Sequence, residues 1–236
     1  MTQHAPASQT VNRLLAHLPE ADFELLRPHM EHVQLPLHTS IIEPHVPIRD
    51  NYFPLNALLS MVTIMKDGSM VECGSIGREG MSGIPVLLDA GETSMQTVVQ
   101  IAGEAIRVKA EVVKEVYERG GALKQILNRY MHTVVVVGSQ STACNRVHRI
   151  EERLARWLLM SADGIGSDEV RITHEYLAVM LGVRRAGVSE AAAKLQEQDL
   201  IRYSRGSIQI LDRKSLEAAA CECYRVVKTE YERLFD

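Results

Sequence analysis

The residues best placed for a specific chemistry lie between 173 and 206. In the stretch GVRRAGVSEAAAKL, Arg184 and Arg185 lead a segment whose apolar residues Val188, Ala191 or Ala192, and Leu195 recur at i, i+3/i+4 and i+7. The opposite side, formed by Arg185, Ala186, Ser189, Glu190 and Ala193, carries little bulk. An arginine at the start of such a helix can pair bidentately with guanine O6 and N7, or clamp a phosphate. The positive end of the helix adds attraction for an anion. Glu190 is the exception, since a carboxylate beside phosphate is repelled unless it accepts from a cytosine amino group. Taken alone, the two arginines read equally well as a solvated surface pair.

The elements that position them are legible on both sides. Thr173 suits an N-cap, and Glu175 falls in the first turn after it. Tyr176, Leu177, Met180 and Leu181 form the buried side of a short helix, Gly182 supplies a turn, and a second helix spans about 185–198. Two short strands, Leu200–Tyr203 and Ser207–Leu211, are joined through Ser204-Arg205-Gly206 as a β-wing. Helix, glycine turn, slim helix and wing together predict a winged helix-turn-helix whose second helix enters the major groove. Arg205 is then placed to touch phosphate. The expected DNA-contacting set is Thr173, Arg184, Arg185, Ala186, Gly187, Ser189, Glu190, Lys194 and Arg205.

Upstream the pattern changes. Residues 10–30 predict two short helices broken at Pro19. From 31 to 109, short Val-, Ile- and Thr-rich runs (VQLPL, SIIEP, NYFPL, ALLSMVTIM, SMVECGSI, TSMQTVVQI, EAIRV) alternate with Pro, Gly and Asp, which predicts an antiparallel barrel or sandwich. Lys66-Asp67-Gly68-Ser69 is a hairpin turn. A short helix at 110–119 stops at Gly120-Gly121. A long helix follows at about 122–145, with Ile126, Leu127, Tyr130, Val134, Val137 and Ser141 on one narrow stripe. This stripe is expected to be a dimer seam, the other reading being a helix packed within its own chain. A further helix at 148–160 turns Ile150, Leu154, Trp157 and Leu158 inward and Glu151, Glu152, Arg153 and Arg156 outward, ending at Asp163-Gly164-Ile165-Gly166. A hinge is expected near Asn145–Val147.

Composition narrows the class. The 236 residues are 46% hydrophobic and 24% charged, as in an ordinary globular protein. No run approaches the roughly 18 apolar residues of a membrane span, and the N-terminus lacks the basic and apolar parts of a secretory signal. A short N-terminal arm, a cytoplasmic address and four reduced cysteines are expected. Residues 1–120 carry 9 basic and 15 acidic residues, whereas 145–215 carry 12 and 10. This shift fits two domains with different partners. No nucleophile–base pair, zinc-ligand spacing or phosphate loop stands out, so neither catalysis nor a metal site is expected. Cys221 and Cys223, placed on a helix, would point about 200° apart and act as separate thiols. His4, His17, His29, His32, His38 and His45 crowd the first 45 residues without ligand spacing.

The stretch RITHEYLAVMLGVRRAGVSEAAAKLQEQDLI, in its order and spacing, resembles the Crp/Fnr family of transcription regulators, and the resemblance extends over nearly the whole chain. It implies an α+β chain. An N-terminal double-stranded β-helix, a jelly-roll-like β-roll of cyclic-nucleotide-binding type, covers 15–120. A dimerisation helix covers 121–145, a winged helix-turn-helix 146–213 and a C-terminal helix 214–236. It also implies a homodimer on an imperfect DNA palindrome, with RNA polymerase as a partner if the protein activates and no membrane partner. The family's recognition arginine falls on Arg185. Members that read the best-known site carry Arg-Glu and a second Arg where this chain has Arg185-Ala186 and Glu190, so a different target is expected. An effector pocket is expected from Gly77, Arg78, Glu79, Gly80, Thr93 and Ser94. The arginine that holds a cyclic phosphate in the family is missing, and Glu92 would repel one, so cyclic AMP binding in the usual manner, or any fixed cofactor, is not expected. The first cysteine, Cys73, lies in a predicted strand, which disfavours an N-terminal iron–sulfur cluster.

Overall fold

The computed structural model describes residues 12–236; the expected N-terminal arm and His4 lie outside the described residues. Two short helices, α1 (Arg13–Ala16) and α2 (Glu20–Leu26), precede seven strands: β1 (Glu31–Leu35), β2 (Ser40–Ile42), β3 (Asp50–Pro54), β4 (Leu58–Ile64), β5 (Met70–Ile76), β6 (Gln96–Ile101) and β7 (Gly103–Lys109). They form two antiparallel sheets, ordered β1-β7-β3 and β2-β6-β4-β5. Leu35, Ala57, Leu59, Ile76, Val99 and Ala105 pack together as one core of this roll. β4 and β5 pair around the Lys66–Ser69 turn, where Gly68 adopts φ 82° and Asp67 Oδ1 accepts from the Ser69 amide at 3.0 Å. Only glycine enters that left-handed region without a steric cost.

Three helices follow: α3 (Ala110–Glu118), α4 (Gly121–Val147) and α5 (Ile150–Ile165). α4 is 27 residues long, or about 40 Å at 1.5 Å per residue. Its N-cap, Gly120, has no side chain to offer. Asp22 of α2 supplies the missing acceptor, taking the Leu123 amide at 2.8 Å and placing a carboxylate at the positive helix end.

The stripe expected at a dimer seam is turned into the chain itself. Ile126, Leu127 and Tyr130 are buried with Leu14, Leu15, Phe23 and Met81. Val137 is buried too, and Val134 and Ser141 are half-buried. Tyr130 Oη donates to the Met81 carbonyl at 3.0 Å. Helical periodicity reveals that a face is covered, but not by which chain. The first two helices and the roll supply the cover here.

α5 runs through Asp163-Gly164 and ends at Gly166 (φ 72°), later than its glycines suggest. Arg153 and Arg156, expected in solvent, are buried. Arg153 Nη2 donates to the Leu181 carbonyl, and Arg156 Nη1 lies 3.4 Å from Ser141 Oγ. α4 continues through Val147, so the junction between the two halves falls at His148–Arg149, not at the hinge expected within 145–147. Beyond it lie β8 (Glu169–Arg171), α6 (His174–Leu181), α7 (Arg185–Glu197), β9 (Ile201–Ser204), β10 (Ser207–Ile210), α8 (Arg213–Ala219) and α9 (Cys223–Arg233). The single closing helix expected at 214–236 is thus two, parted where Ala220 turns extended (ψ 152°).

The C-terminal domain is docked on the roll. Leu58, Val62 and Ile101 share one apolar cluster with Leu154, Leu158, Leu177, Leu195 and Ile208. The His38 and Tyr176 rings stack with centroids 4.4 Å apart. Glu72 of β5 accepts from Trp157 Nε1 at 3.0 Å and from the Ser60 hydroxyl. Burial pushes the Glu72 carboxyl above the ordinary carboxylate range, against the pull of those two hydrogen bonds. A carboxyl raised on folding contributes stability that is complete below its unfolded pKa and is lost as pH rises through the folded value. Glu72→Gln keeps an acceptor for Trp157 and removes that loss. Thermal unfolding, read by the fluorescence of this single tryptophan, is expected to show the variant a few degrees more stable above pH 7, the gap closing toward pH 4. A gap that widens in acid contradicts the assignment.

Candidate nucleic-acid interface

The helix-turn-helix is built by local rules. Thr173 caps α6, its hydroxyl accepting from the Tyr176 amide at 3.3 Å. Gly182 ends α6 in the left-handed region (φ 60°, ψ 40°), and the Val183 amide reaches back to the Ala178 carbonyl at 2.9 Å, a glycine C-cap. Arg184 is the N-cap of α7 with extended backbone (ψ 145°) and makes no side-chain capping bond. Val188, Ala191, Ala192 and Leu195 are buried. Each alanine lets α7 sit close to its neighbours where a larger residue would hold it off.

The face left in solvent is narrow. Arg184, Arg185, Ala186, Glu190, Ala193, Lys194 and Glu197 are exposed, and Ser189 is half-buried. Arg185 Nη1 lies 2.8 Å from Glu175 Oε1, with both side chains more than half exposed. That pair holds the guanidinium beside the N-terminal end of α6 at a cost in water of no more than about 1 kcal/mol to break. Arg184 and Arg205 enter no salt bridge among the described residues. Ser189 Oγ lies 3.1 Å from His174 Nδ1, and the His174 ring stacks on Tyr203 with centroids 4.1 Å apart. Burial, with a smaller contribution from Arg185, holds His174 below its ordinary pKa.

Two of the expected contact residues also make contacts within the domain. Gly187 faces α5: a Cβ there would stand 3.1 Å from Ile150 Cδ1. Its small size serves packing. Lys194 is exposed but bonded to Glu151 of α5, so it ties α7 to its support. The wing turns through Arg205 (φ 48°) and Gly206 (φ 80°), two successive left-handed residues as in a type I′ turn. A Cβ on Gly206 would lie 3.8 Å from Thr173 Cγ2. The wing tip and the α6 cap therefore form one surface with the start of α7. Sequence reading missed β8, which pairs with β10 through Val170↔Ile208. Three residues are too few for alternation to show.

Each segment expected at an effector pocket makes contacts of its own. Gly77–Gly80 is wedged against the C-terminal domain: the Arg78 amide donates to the Gly164 carbonyl at 2.8 Å, and a Cβ at Gly80 would overlap the Tyr130 ring. Asn12 Nδ2 donates to the Gly80 and Pro54 carbonyls, both at 2.9 Å. Arg78 and Glu79 line a cavity with Arg13, Asp163, Tyr224 and Tyr231. Thr93 and Ser94 are not part of it. The Thr93 carbonyl instead accepts from the His45 amide at 2.8 Å.

Residues 152–219 match the model of the Crp-like helix-turn-helix domain family. Comparison with curated protein sequences gives no match. Solved structures share the fold. FixK2 from Bradyrhizobium japonicum aligns with TM-score 0.65 at 13% identity, over 81% of this chain and 98% of that one. A Crp-family transcriptional regulator from Thermus thermophilus aligns with TM-score 0.63 at 19% identity, over 80% and 96%. The c-di-GMP-responsive regulator CLP from Xanthomonas campestris aligns with TM-score 0.61 at 13% identity, over 82% and 100%. The chain thus joins a Crp-like helix-turn-helix domain to a Crp/Fnr-type fold, the make-up of a DNA-binding transcription regulator. Among the described residues no helix is long and apolar enough to cross a membrane.

The cap gives a local test. Thr173→Ala is expected to cost about 1 kcal/mol of stability by chemical denaturation, and Thr173→Ser only a few tenths. Equal losses in the two variants would mean that the hydroxyl does not cap α6.

Proposed function

We propose that the chain works as a cytoplasmic homodimer that reads an imperfect DNA palindrome, each copy placing the exposed edge of α7 in the major groove. The observation that carries this reading is the combination of exposed Arg184 and Arg185 with the small outer residues Ala186 and Ala193, on a helix whose other side is held by an apolar core. A groove about 12 Å wide admits a helix only where its leading face is slim. Arg185 is assigned to a base edge, Arg184 and Arg205 to phosphates.

A second copy is assigned to the outer face of α4. Asn128, His132, Val135, Ser139, Thr142 and Arg146 follow one another at alternating four- and three-residue steps, and all are exposed. Val135 is 67% accessible, and Gly138 beside it has open space around it. That spacing is the one a two-stranded seam uses. The polar residues on it explain why periodicity of apolar residues pointed to the other face. RNA polymerase is a partner if the protein activates.

The roll is assigned to sensing through a route other than cyclic AMP. In support, the Gly77–Gly80 segment is already engaged: the Arg78 amide donates to the Gly164 carbonyl, the Gly77 amide donates to Glu79, and Gly80 packs against the Tyr130 ring. An effector that separates the roll from α5 would shift the orientation of α7, provided that it binds the two states unequally.

Fluorescence-polarisation titration against a selected duplex tests the reading. Arg185→Ala is expected to lower affinity for that duplex about 10-fold while leaving random DNA little affected, reflecting the roughly 1–3 kcal/mol of a bidentate base contact. Glu175→Gln, which releases Arg185 from its carboxylate partner, is expected to tighten binding up to about 5-fold. Equal loss on specific and random duplexes would make Arg185 a phosphate contact. No change on either would remove α7 from the interface.

A further inference from the structure

A cluster of ligand-type side chains sits at the junction and takes no part in the surface described above. Cys144 lies in the last turn of α4 and His148 is its C-cap, while Cys221 lies in the break between α8 and α9 and Cys223 is the first residue of α9. Because Cys221 lies outside any helix, the 200° separation expected of a helical C-x-C pair does not apply, and both sulfurs turn toward α4. Cys144 Sγ and Cys221 Sγ are 3.5 Å apart, Cys223 Sγ is 3.6 Å from His148 Nδ1, and all four donor atoms lie within 4.8 Å of one another. A tetrahedral zinc ion, with Zn–S about 2.3 Å and Zn–N about 2.1 Å, fixes S···S edges of about 3.8 Å and S···N edges of about 3.6 Å. The Cys144–Cys221 and Cys223–His148 edges lie close to those figures.

The surroundings are those of ligands. His148 Nε2 lies 3.1 Å from Glu222 Oε2, which orients the ring with Nδ1 toward the sulfurs, as carboxylate partners orient metal-bound histidines. Gln140 Nε2 donates to Cys223 Sγ at 3.0 Å, as outer amides do to thiolates. Arg153 and Arg156 are buried next to the cluster, and their Nε atoms find no partner. Enclosed guanidinium groups favour negative neighbours: Glu72 lies near Arg156, while the neighbours of Arg153 are the sulfurs of Cys144 and Cys221. Three thiolates and one imidazole around a divalent ion carry a net charge of −1, whereas three thiols carry none. A disulfide between Cys144 and Cys221 would require an S–S distance of about 2.05 Å and would leave Cys223, His148 and the outer partners without a role.

We propose that Cys144, His148, Cys221 and Cys223 bind one zinc ion per chain in a closed Cys3His site that staples the C-terminal segment to the junction between α4 and α5. Four protein ligands leave no open position, so the ion is structural and not catalytic. Binding displaces the thiol protons to solvent and involves no change of oxidation state.

The test uses the full chain purified under reducing conditions, with zinc and cobalt as probes, and does not depend on DNA binding. Elemental analysis is expected to give about one zinc per chain. Cobalt substitution is expected to give thiolate charge-transfer absorption and the intense visible bands of a tetrahedral centre. In native thiol titration Cys73, the half-exposed cysteine outside the cluster, is expected to react readily, and the other three only after chelation. Cys73→Ser keeps the metal, and Cys221→Ser/Cys223→Ser loses it. Should the double variant fail to fold, the cobalt spectrum and thiol protection of the parent chain decide. Four thiols equally reactive with and without zinc, a Cys144–Cys221 disulfide in the reduced preparation, or an iron–sulfur chromophore would each overturn the proposal.

Discussion

One apolar contact governs the arrangement of the whole chain: the cluster in which Leu58, Val62 and Ile101 of the roll meet Leu154, Leu158 and Leu177 of the C-terminal domain. Burying a leucine or isoleucine side chain is worth about 1.5–3 kcal/mol, so parting this surface costs several such contributions. The orientation of α7 is therefore a property of the entire molecule and not of the helix-turn-helix alone. Any signal that reorients it must offset the exposure of that cluster, together with the loss of the Trp157–Glu72 hydrogen bond and the His38–Tyr176 stack.

α4 carries the consequences in both directions. Its inner face is held by Asp22 at the first turn, by Tyr130 on the Met81 carbonyl and by the cores of α1 and α2. Val135 and Val147 are the large apolar residues exposed on its outer face. Its last turn supplies Cys144, and its C-cap supplies His148, at the junction. The helix thus touches the roll, the C-terminal segment and, in the proposed dimer, a second chain. It ends at His148–Arg149, the two residues between α4 and α5 where the backbone leaves helical geometry.

Much of this was legible in the residues. All seven strands of the roll were visible because Val, Ile and Thr runs are separated by residues that cannot continue a strand. The glycine cap at 182, the Thr173 cap and the buried stripe of α7 were visible because each depends on a few neighbouring positions. Long-range choices were not. Arg153 and Arg156 read as solvent-facing because nothing local announces the Leu181 carbonyl or Ser141 as partners. The stripe Ile126–Leu127–Tyr130 announced burial without saying by what. The packing of Gly187 on Ile150 was not legible because the two are far apart in sequence. Cys144 and His148 carry ligand spacing on a helix, but their partners lie more than 70 residues away across a break that the continuous helical pattern of 214–236 concealed.

The central claim is that two copies of the slim α7 edge, led by Arg185, read duplex DNA together. Selection of bound sequences from a random duplex pool with the purified full chain tests it most directly. The account predicts enrichment of two inverted half-sites whose centres are about 10–10.5 base pairs apart, one turn of the double helix. Enrichment of a single unpaired element, or no enrichment over the starting pool, would contradict it.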